Sequence, residues 1–438
     1  MTRTLCALGA LLILLTACGG HGGGSSGATA GTNTAPPPPP PLSNFTSITV
    51  DQGPAALATG PDGFIAANAL FATVTICAPG TTNCQTIDHV LVDTGSVGLR
   101  LLQPVLTPAV LSALPNMTDA NSFPVGECYQ FVDGYAFGSV RQADFQIGGE
   151  QVANMPLEVV GDTGAFATVP ASCSSGGGTN MDTVKAMGAN GILGIGASIT
   201  DCGSGCTGAI ETGPATYFEC PNPQCGATIT RADSAAAPFQ QVPNPVAAMS
   251  VDNNGTIISL PASPATGEAT LTGTLYFGVG TQTNNGLGSA TVLTATGLTG
   301  PFGSGLLTAI YNGQTLPQSF IDSGSSLYLF QDSTLPACSG KDFNGYYCPT
   351  AATPLSPTLQ GQNGVTASAA FSLNNAQTLL SGSNSVLPGL GGNPATFAFA
   401  DVIPSSFDFG LPFFYGRNLY TVIEGRSVGT TAGPFFAY

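Results

Sequence analysis

Two short strings in this chain carry the same potential chemistry. Val92-Asp93-Thr94-Gly95-Ser96 and Ile321-Asp322-Ser323-Gly324-Ser325 are near copies, and their aspartates stand 229 residues apart. Each follows an apolar run, Val90-Leu91-Val92 in one case and Phe320-Ile321 in the other. Each leads into a second apolar run, residues 99–102 and 327–330. One carboxylate cannot be acid and base in the same step, whereas two that face each other and share a proton can. The spacing suits one copy per lobe of a two-lobed protein. Asp93 and Asp322 would hold a water between them, one carboxylate taking its proton while the protonated partner polarises a carbonyl. Gly95 and Gly324 allow close backbone approach. Thr94 and Ser323 can bond across the lobe junction, and the Ser96 and Ser325 hydroxyls can each hold an outer carboxylate oxygen.

The elements that must position these residues read as strands. The chain is 43% hydrophobic and only 7% charged, with abundant glycine and short runs of Thr, Val, Ser and Phe. That pattern predicts an all-β protein. Strands are expected within residues 64–76, 87–92, 250–260, 269–279 and 407–437. Residues 190–196 form an apolar, glycine-punctuated stretch. Two hairpins are predicted, one over residues 129–147 turning at Asp133-Gly134, the other over residues 306–321 turning at Asn312-Gly313. The stretch 197–240 reads as a loop stapled by cysteines. No solenoid period is present.

The amino-terminal region is not part of this core. Arg3, an apolar segment over residues 5–15 and Leu15-Thr16-Ala17-Cys18 read as an export signal, too short to span a bilayer as a permanent helix. The ending resembles the lipobox of bacterial lipoproteins. That implies a signal peptide over residues 1–17, acyl chains such as palmitate on Cys18, and a membrane anchor. Gly19 after the cysteine resembles the outer-membrane sorting default, on the periplasmic or the cell-surface face. Residues 18–43 form a Gly/Ser then Pro-rich tether, with six prolines from Pro36 to Pro41. The remainder divides into residues 44–245 and 246–438, one lobe for each acid turn.

The net charge is −16, from 24 acidic and 8 basic residues, which argues against nucleic acid as a partner. Of twelve cysteines, ten remain once Cys6 and Cys18 are set aside. In an exported protein they predict disulfides. Cys77 with Cys84 would close a hairpin, and Cys338 with Cys348 a loop. Cys202, Cys206, Cys220 and Cys225 also have spacing compatible with zinc, an alternative that export disfavours. The pairing of Cys128, Cys173 and those four is open. His89 is the one histidine a Ser-His-Asp triad could use, and no nucleophile elbow accompanies it.

Taken together, the two acid turns, Ile192-Leu193-Gly194 and the closing stretch from Gly410-Leu411-Pro412 to Tyr420-Thr421-Val422 resemble the pepsin-like aspartic proteases, in a divergent bacterial lipoprotein branch. The resemblance implies a two-lobed, all-β acid-protease fold with a central cleft. It implies catalysis by Asp93 and Asp322, support from Thr94, Gly95, Ser96, Ser323, Gly324 and Ser325, and a mobile flap hairpin bearing Tyr135. Ile192-Leu193-Gly194 would buttress the first loop. The expected function is an exported aspartic endopeptidase acting on peptide or protein substrates, acid-favoured, monomeric, with no cofactor and no metal. One alternative is a catalytically weak or inactive relative that binds peptides in its cleft; another is a β-rich surface adhesin. Three departures from the family pattern stand out. Val97-Gly98 replaces a polar pair, Arg100 stands where a tryptophan braces the flap, and Asp408-Phe409-Gly410 puts an acid in the second buttress. Arg100 either reaches Tyr135 or a nearby carboxylate, or points to solvent. Residues 19–68 contain no Lys or Arg, so no basic pro-segment is expected.

Overall fold

Alternating burial builds the strand that carries the first acid turn. In β1, Cys84–Asp93, the side chains of Ile87, Val90 and Val92 are buried while Cys84, Thr86 and Asp88 face outward. The chain turns through residues 94–96 and continues as β2, Val97–Leu102. The strand β3, Gly191–Ile195, lies between them. It runs parallel to β1, with Gly194 opposite Asp93, and antiparallel to β2. The computed structural model describes residues 43–60, 63–119, 122–203, 216–225, 241–297, 305–396 and 406–438. The signal, Cys18, most of the tether and Cys206 lie outside that set.

The second acid turn repeats this arrangement. It ends β4, Gln314–Ile321, and leads to β5, Tyr328–Leu329. The short β6, Asp408–Phe409, is parallel to β4 and antiparallel to β5, with Ile321 opposite Phe409. The sequence duplication is therefore also a duplication of strand topology. Among the described residues the first triplet belongs to a 15-stranded sheet and the second to a 7-stranded one.

The larger sheet does not stop at residue 245. Phe45–Val50 pairs with Leu271–Phe277, which pairs in turn with Gly255–Ser259 and then Asn418–Val422. One apolar core runs beneath both acid turns. It joins Val90, Val92, Leu99 and Leu193 to Ile321, Tyr328, Phe407, Phe409 and Phe413. Within it Phe407 stacks between Phe330 and Phe409, with centroids 4.4 and 4.3 Å away.

Both predicted hairpins form. Val125–Gln130 pairs with Gly134–Ile147, and Leu307–Tyr311 with β4. Asn312 and Gly313 have φ of 49° and 75°, the left-handed pair that a two-residue hairpin needs. The strand expected from residue 64 begins only at Leu70. Leu411–Phe414 is a 3-10 turn within the expected closing strands, at Pro412, which has no N–H for a ladder. Cys77–Cys84, Cys128–Cys173, Cys220–Cys225 and Cys338–Cys348 are disulfides, and Cys202 is also disulfide-bonded. Cys202, Cys220 and Cys225 are thus not thiolate ligands, which overturns the zinc alternative. No described helix is long and apolar enough to cross a membrane.

Candidate active site

The two acid turns meet tip to tip. The Thr94 N–H donates to Ser323 Oγ at 3.1 Å, and the Ser323 N–H donates to Thr94 Oγ1 at 2.9 Å. The Ser323 hydroxyl donates to the Val92 carbonyl at 2.7 Å, and the Thr94 hydroxyl to the Ile321 carbonyl at 3.4 Å. All four bonds are buried, so each hydroxyl satisfies groups of the opposite turn that water cannot reach. The turns are locked in register by their second residues.

That lock brings the carboxyls together. Each carboxyl lies against the glycine of the opposite turn, and the Asp93 charge bears on Asp322. The Gly95 N–H donates to Asp93 Oδ1 and the Gly324 N–H to Asp322 Oδ1, each at 2.7 Å. The Ser96 hydroxyl donates to Asp93 Oδ2, and the Ser325 hydroxyl to Asp322 Oδ2 at 2.9 Å. Each inner oxygen thus takes a backbone donor and each outer oxygen a serine. The glycines are needed for space. A Cβ on Gly95 would lie 2.6 Å from Asp322 Cγ, and one on Gly324 would lie 2.5 Å from Asp93 Oδ1.

The electrostatics divide the pair. Burial, the Asp93 charge and the Asp408 charge hold the Asp322 carboxyl well above the usual carboxylate range, against the opposing Gly324 hydrogen bond. Asp322 is thereby held toward its neutral form. Two adjacent carboxyls sharing one proton can activate a water and polarise a carbonyl in the same encounter.

Both aspartates open into a cavity of about 1010 Å³. Its wall is largely apolar, with Leu91, Met181, Ile192, Phe320 and Leu327 among its residues, and among the described residues it carries no Lys, Arg or His. The hairpin tip, residues 129–133, borders it. Tyr135 does not. It packs beside Phe137 and the Cys128–Cys173 bridge, whereas Tyr129, on the other strand of the hairpin, lines the cavity. The reading of Tyr135 as the residue over the cleft is therefore corrected in favour of Tyr129. Successive strand residues face opposite sides, and Tyr129 pairs with Ala136, not with Tyr135.

Arg100 is fully buried and reaches neither Tyr135 nor the dyad. It contacts Glu127, Glu158 Oε2 at 3.1 Å and Asp201 Oδ2 at 3.8 Å, and its guanidinium lies 3.7 Å from the centre of the Tyr129 ring. Burial works against its charge, and Glu127, Glu158, Tyr129 and Asp201 more than offset that. Burial and the nearby Glu127 push Glu158 and Asp201 up toward their neutral forms. The residue thus anchors the hairpin from below through Tyr129. His89 sits apart from the site, within 3.4 Å of Asp51 and 3.3 Å of Asp88. Cys18 lies outside the described residues.

Residues 40–438 match the family described as "Protein of unknown function (DUF3443)". The chain belongs to that family. No curated protein matches it. Among solved structures, it is similar to the aspartic proteinase from Irpex lacteus, with 17% identity, a TM-score of 0.49, and coverage of 90% of this chain and 96% of that one. The site geometry described above is a property of this family member's own residues.

Proposed function

We propose that this chain is an aspartic endopeptidase that hydrolyses peptide bonds with a water activated between Asp93 and Asp322. One observation carries the reading: two duplicated turns interlock so that each carboxyl lies against the opposite turn's glycine, with every carboxylate oxygen held by its own turn. A structural turn has no need of a second acid against it, because like charges at contact are destabilising unless one is neutralised. Thr94 and Ser323 hold the two turns together, Gly95 and Gly324 make room, and Ser96 and Ser325 orient the outer oxygens. Asp93 serves as the base and Asp322 as the acid that polarises the scissile carbonyl. The cavity, about 1010 Å³ and largely apolar, offers room for a peptide beneath the hairpin tip. On this reading the two triplets are the hearts of two lobes with the cleft between them.

Export and attachment to the outer membrane through Cys18 complete the proposal and rest on the sequence of residues 1–18. The deciding experiment incubates the full chain with a denatured protein mixture from pH 3 to pH 7 beside Asp93→Asn. Cleavage by the native chain alone is expected. Cleavage that survives the substitution, or none by either protein, removes the endopeptidase reading. Mass spectrometry of membrane-fraction protein tests the anchor; an unacylated Cys18 would remove it.

A further inference from the structure

Asp408 is a buried acid that the dyad does not require. It is 2% exposed and lines the same cavity as Asp93, Asp322 and Ser325. Its place in the fold is defined by the duplicated triplets. In the first, Ile192 of β3 pairs with Leu91, two residues before Asp93. In the second, Asp408 of β6 pairs with Phe320, two residues before Asp322. The same position holds an isoleucine in one copy and an aspartate in the other. An apolar residue suffices to build the triplet, as Ile192 does.

The carboxyl is also poorly compensated. Among the described residues its Oδ1 is buried with no hydrogen-bond partner, and the cavity wall offers no cation. The charged groups bearing on it are Asp93 at the end of β1 and Asp322 at the end of β4. The neighbouring β5, with Tyr328 and Leu329, adds no charge. A lone buried carboxylate is costly, so the group favours its neutral form. Burial, partly opposed by the nearby Ser325 hydroxyl and reinforced by the Asp93 charge, pushes it up to about 8. Ser325 is the link, since it donates to Asp322 Oδ2 and lies beside Asp408.

We propose that Asp408 is a positioning residue of the dyad, a third carboxyl that keeps the Ser325 hydroxyl directed at Asp322 and protects the Asp322 proton as the solution becomes alkaline. While neutral, Asp408 does not compete for the Ser325 hydrogen. When base is added it ionises, and its new negative charge opposes ionisation of Asp322. The site thereby keeps its shared proton to higher pH than a two-carboxyl site would. This deepens the endopeptidase reading and rests on it for its meaning in catalysis, but not for its measurement.

The test is a carboxyl-carbon NMR titration of the full chain labelled at aspartate, with Asp322→Asn and Asp408→Asn used for assignment. In the native chain Asp408 is expected to titrate near pH 8. In Asp408→Asn the Asp322 midpoint is expected to move down. If Asp408 titrates in the ordinary carboxylate range, or the Asp322 midpoint stays in place, the proposal is overturned. Asp408→Ile, which copies Ile192, replaces the asparagine variant if that one fails to fold, and the native titration needs no variant to read its sign. Where turnover is present, the alkaline limb of the pH–rate profile should shift down, with the rate at the native alkaline midpoint falling about fivefold, the size of effect one close like charge produces. A chain that cleaves nothing removes the endopeptidase reading and leaves the titration result to stand or fall alone.

Discussion

The two acid turns are built alike and are not equivalent. Each has a backbone N–H on its inner oxygen, a serine on its outer oxygen and a glycine against the opposite carboxyl. The difference lies one strand behind. Asp93 has Ile192 at the position where Asp322 has Asp408. The first turn also sits under a hairpin anchored by Arg100 through Tyr129, with three acidic side chains around the guanidinium. Symmetric first contacts place two carboxyls against each other, while the layers behind them differ. Asp322 is held toward its neutral form, chiefly by burial and the Asp93 charge.

The largest test of that comparison removes either acid. Asp93→Asn and Asp322→Asn should each lower the rate of hydrolysis of a fluorogenic peptide by about a thousandfold or more. Folding should be retained by circular dichroism. If one variant keeps most of its activity, the two turns do not act as a pair.

Steric symmetry can be broken next. Gly95→Ala and Gly324→Ala each place a methyl within 2.7 Å of the opposite aspartate. Both should lose activity by about a hundredfold through displacement of a carboxyl. Native-like rates in either would mean that the turns separate more easily than their interlocking hydrogen bonds indicate.

Smaller effects sharpen the inequality. Ser96→Ala and Ser325→Ala each remove one hydrogen bond to a carboxyl, worth about 1.5–3 kcal/mol when the acceptor is charged. Turnover should fall about tenfold or more in both. Only Ser325→Ala should also change the alkaline limb of the pH–rate profile, because only that serine lies beside Asp408. Identical profiles for the two variants would erase the distinction.

The smallest effect is on stability. An acid raised in the folded state binds its proton there more tightly than in the unfolded chain, so it favours folding at low pH and loses that advantage as pH rises. For Asp408 the window runs from about 4, the unfolded value, to about 8. Asp408→Ile should therefore gain on the native chain as pH rises across that window. A relative increase of about 2 °C or more in Tm between pH 5 and pH 8 is expected in calorimetry. A constant offset between the two melting curves would show that Asp408 carries no proton linkage.

Much of the site was legible because its signals are local. The acid turns announce themselves as repeated five-residue strings, and Asn312-Gly313 marks its hairpin through backbone preference alone, whereas the other hairpin turns through Val132-Asp133, one residue before the expected pair. Cys77–Cys84 and Cys338–Cys348 lie close enough in sequence to suggest their pairing. Cys128–Cys173 was not legible, since the two cysteines are brought together by a strand and a distant short helix. The place of Tyr129 was not legible, because residues on both faces of the hairpin are partly buried and the alternation does not say which face meets the cavity. Arg100 left its own role open for the same reason: Glu127, Glu158 and Asp201 come to it from separate stretches of chain.

By itself, the sequence determined that this chain would be mostly β and would carry two copies of one acid turn, because strand propensity and turn chemistry depend on a few neighbouring residues. Only the tertiary structure decided that the copies face each other, that Asp322 is held toward its neutral form, and that Tyr129 borders the cavity. Those outcomes depend on burial and on charges contributed by residues remote in sequence, and a carboxyl's affinity for its proton is set by everything packed around it.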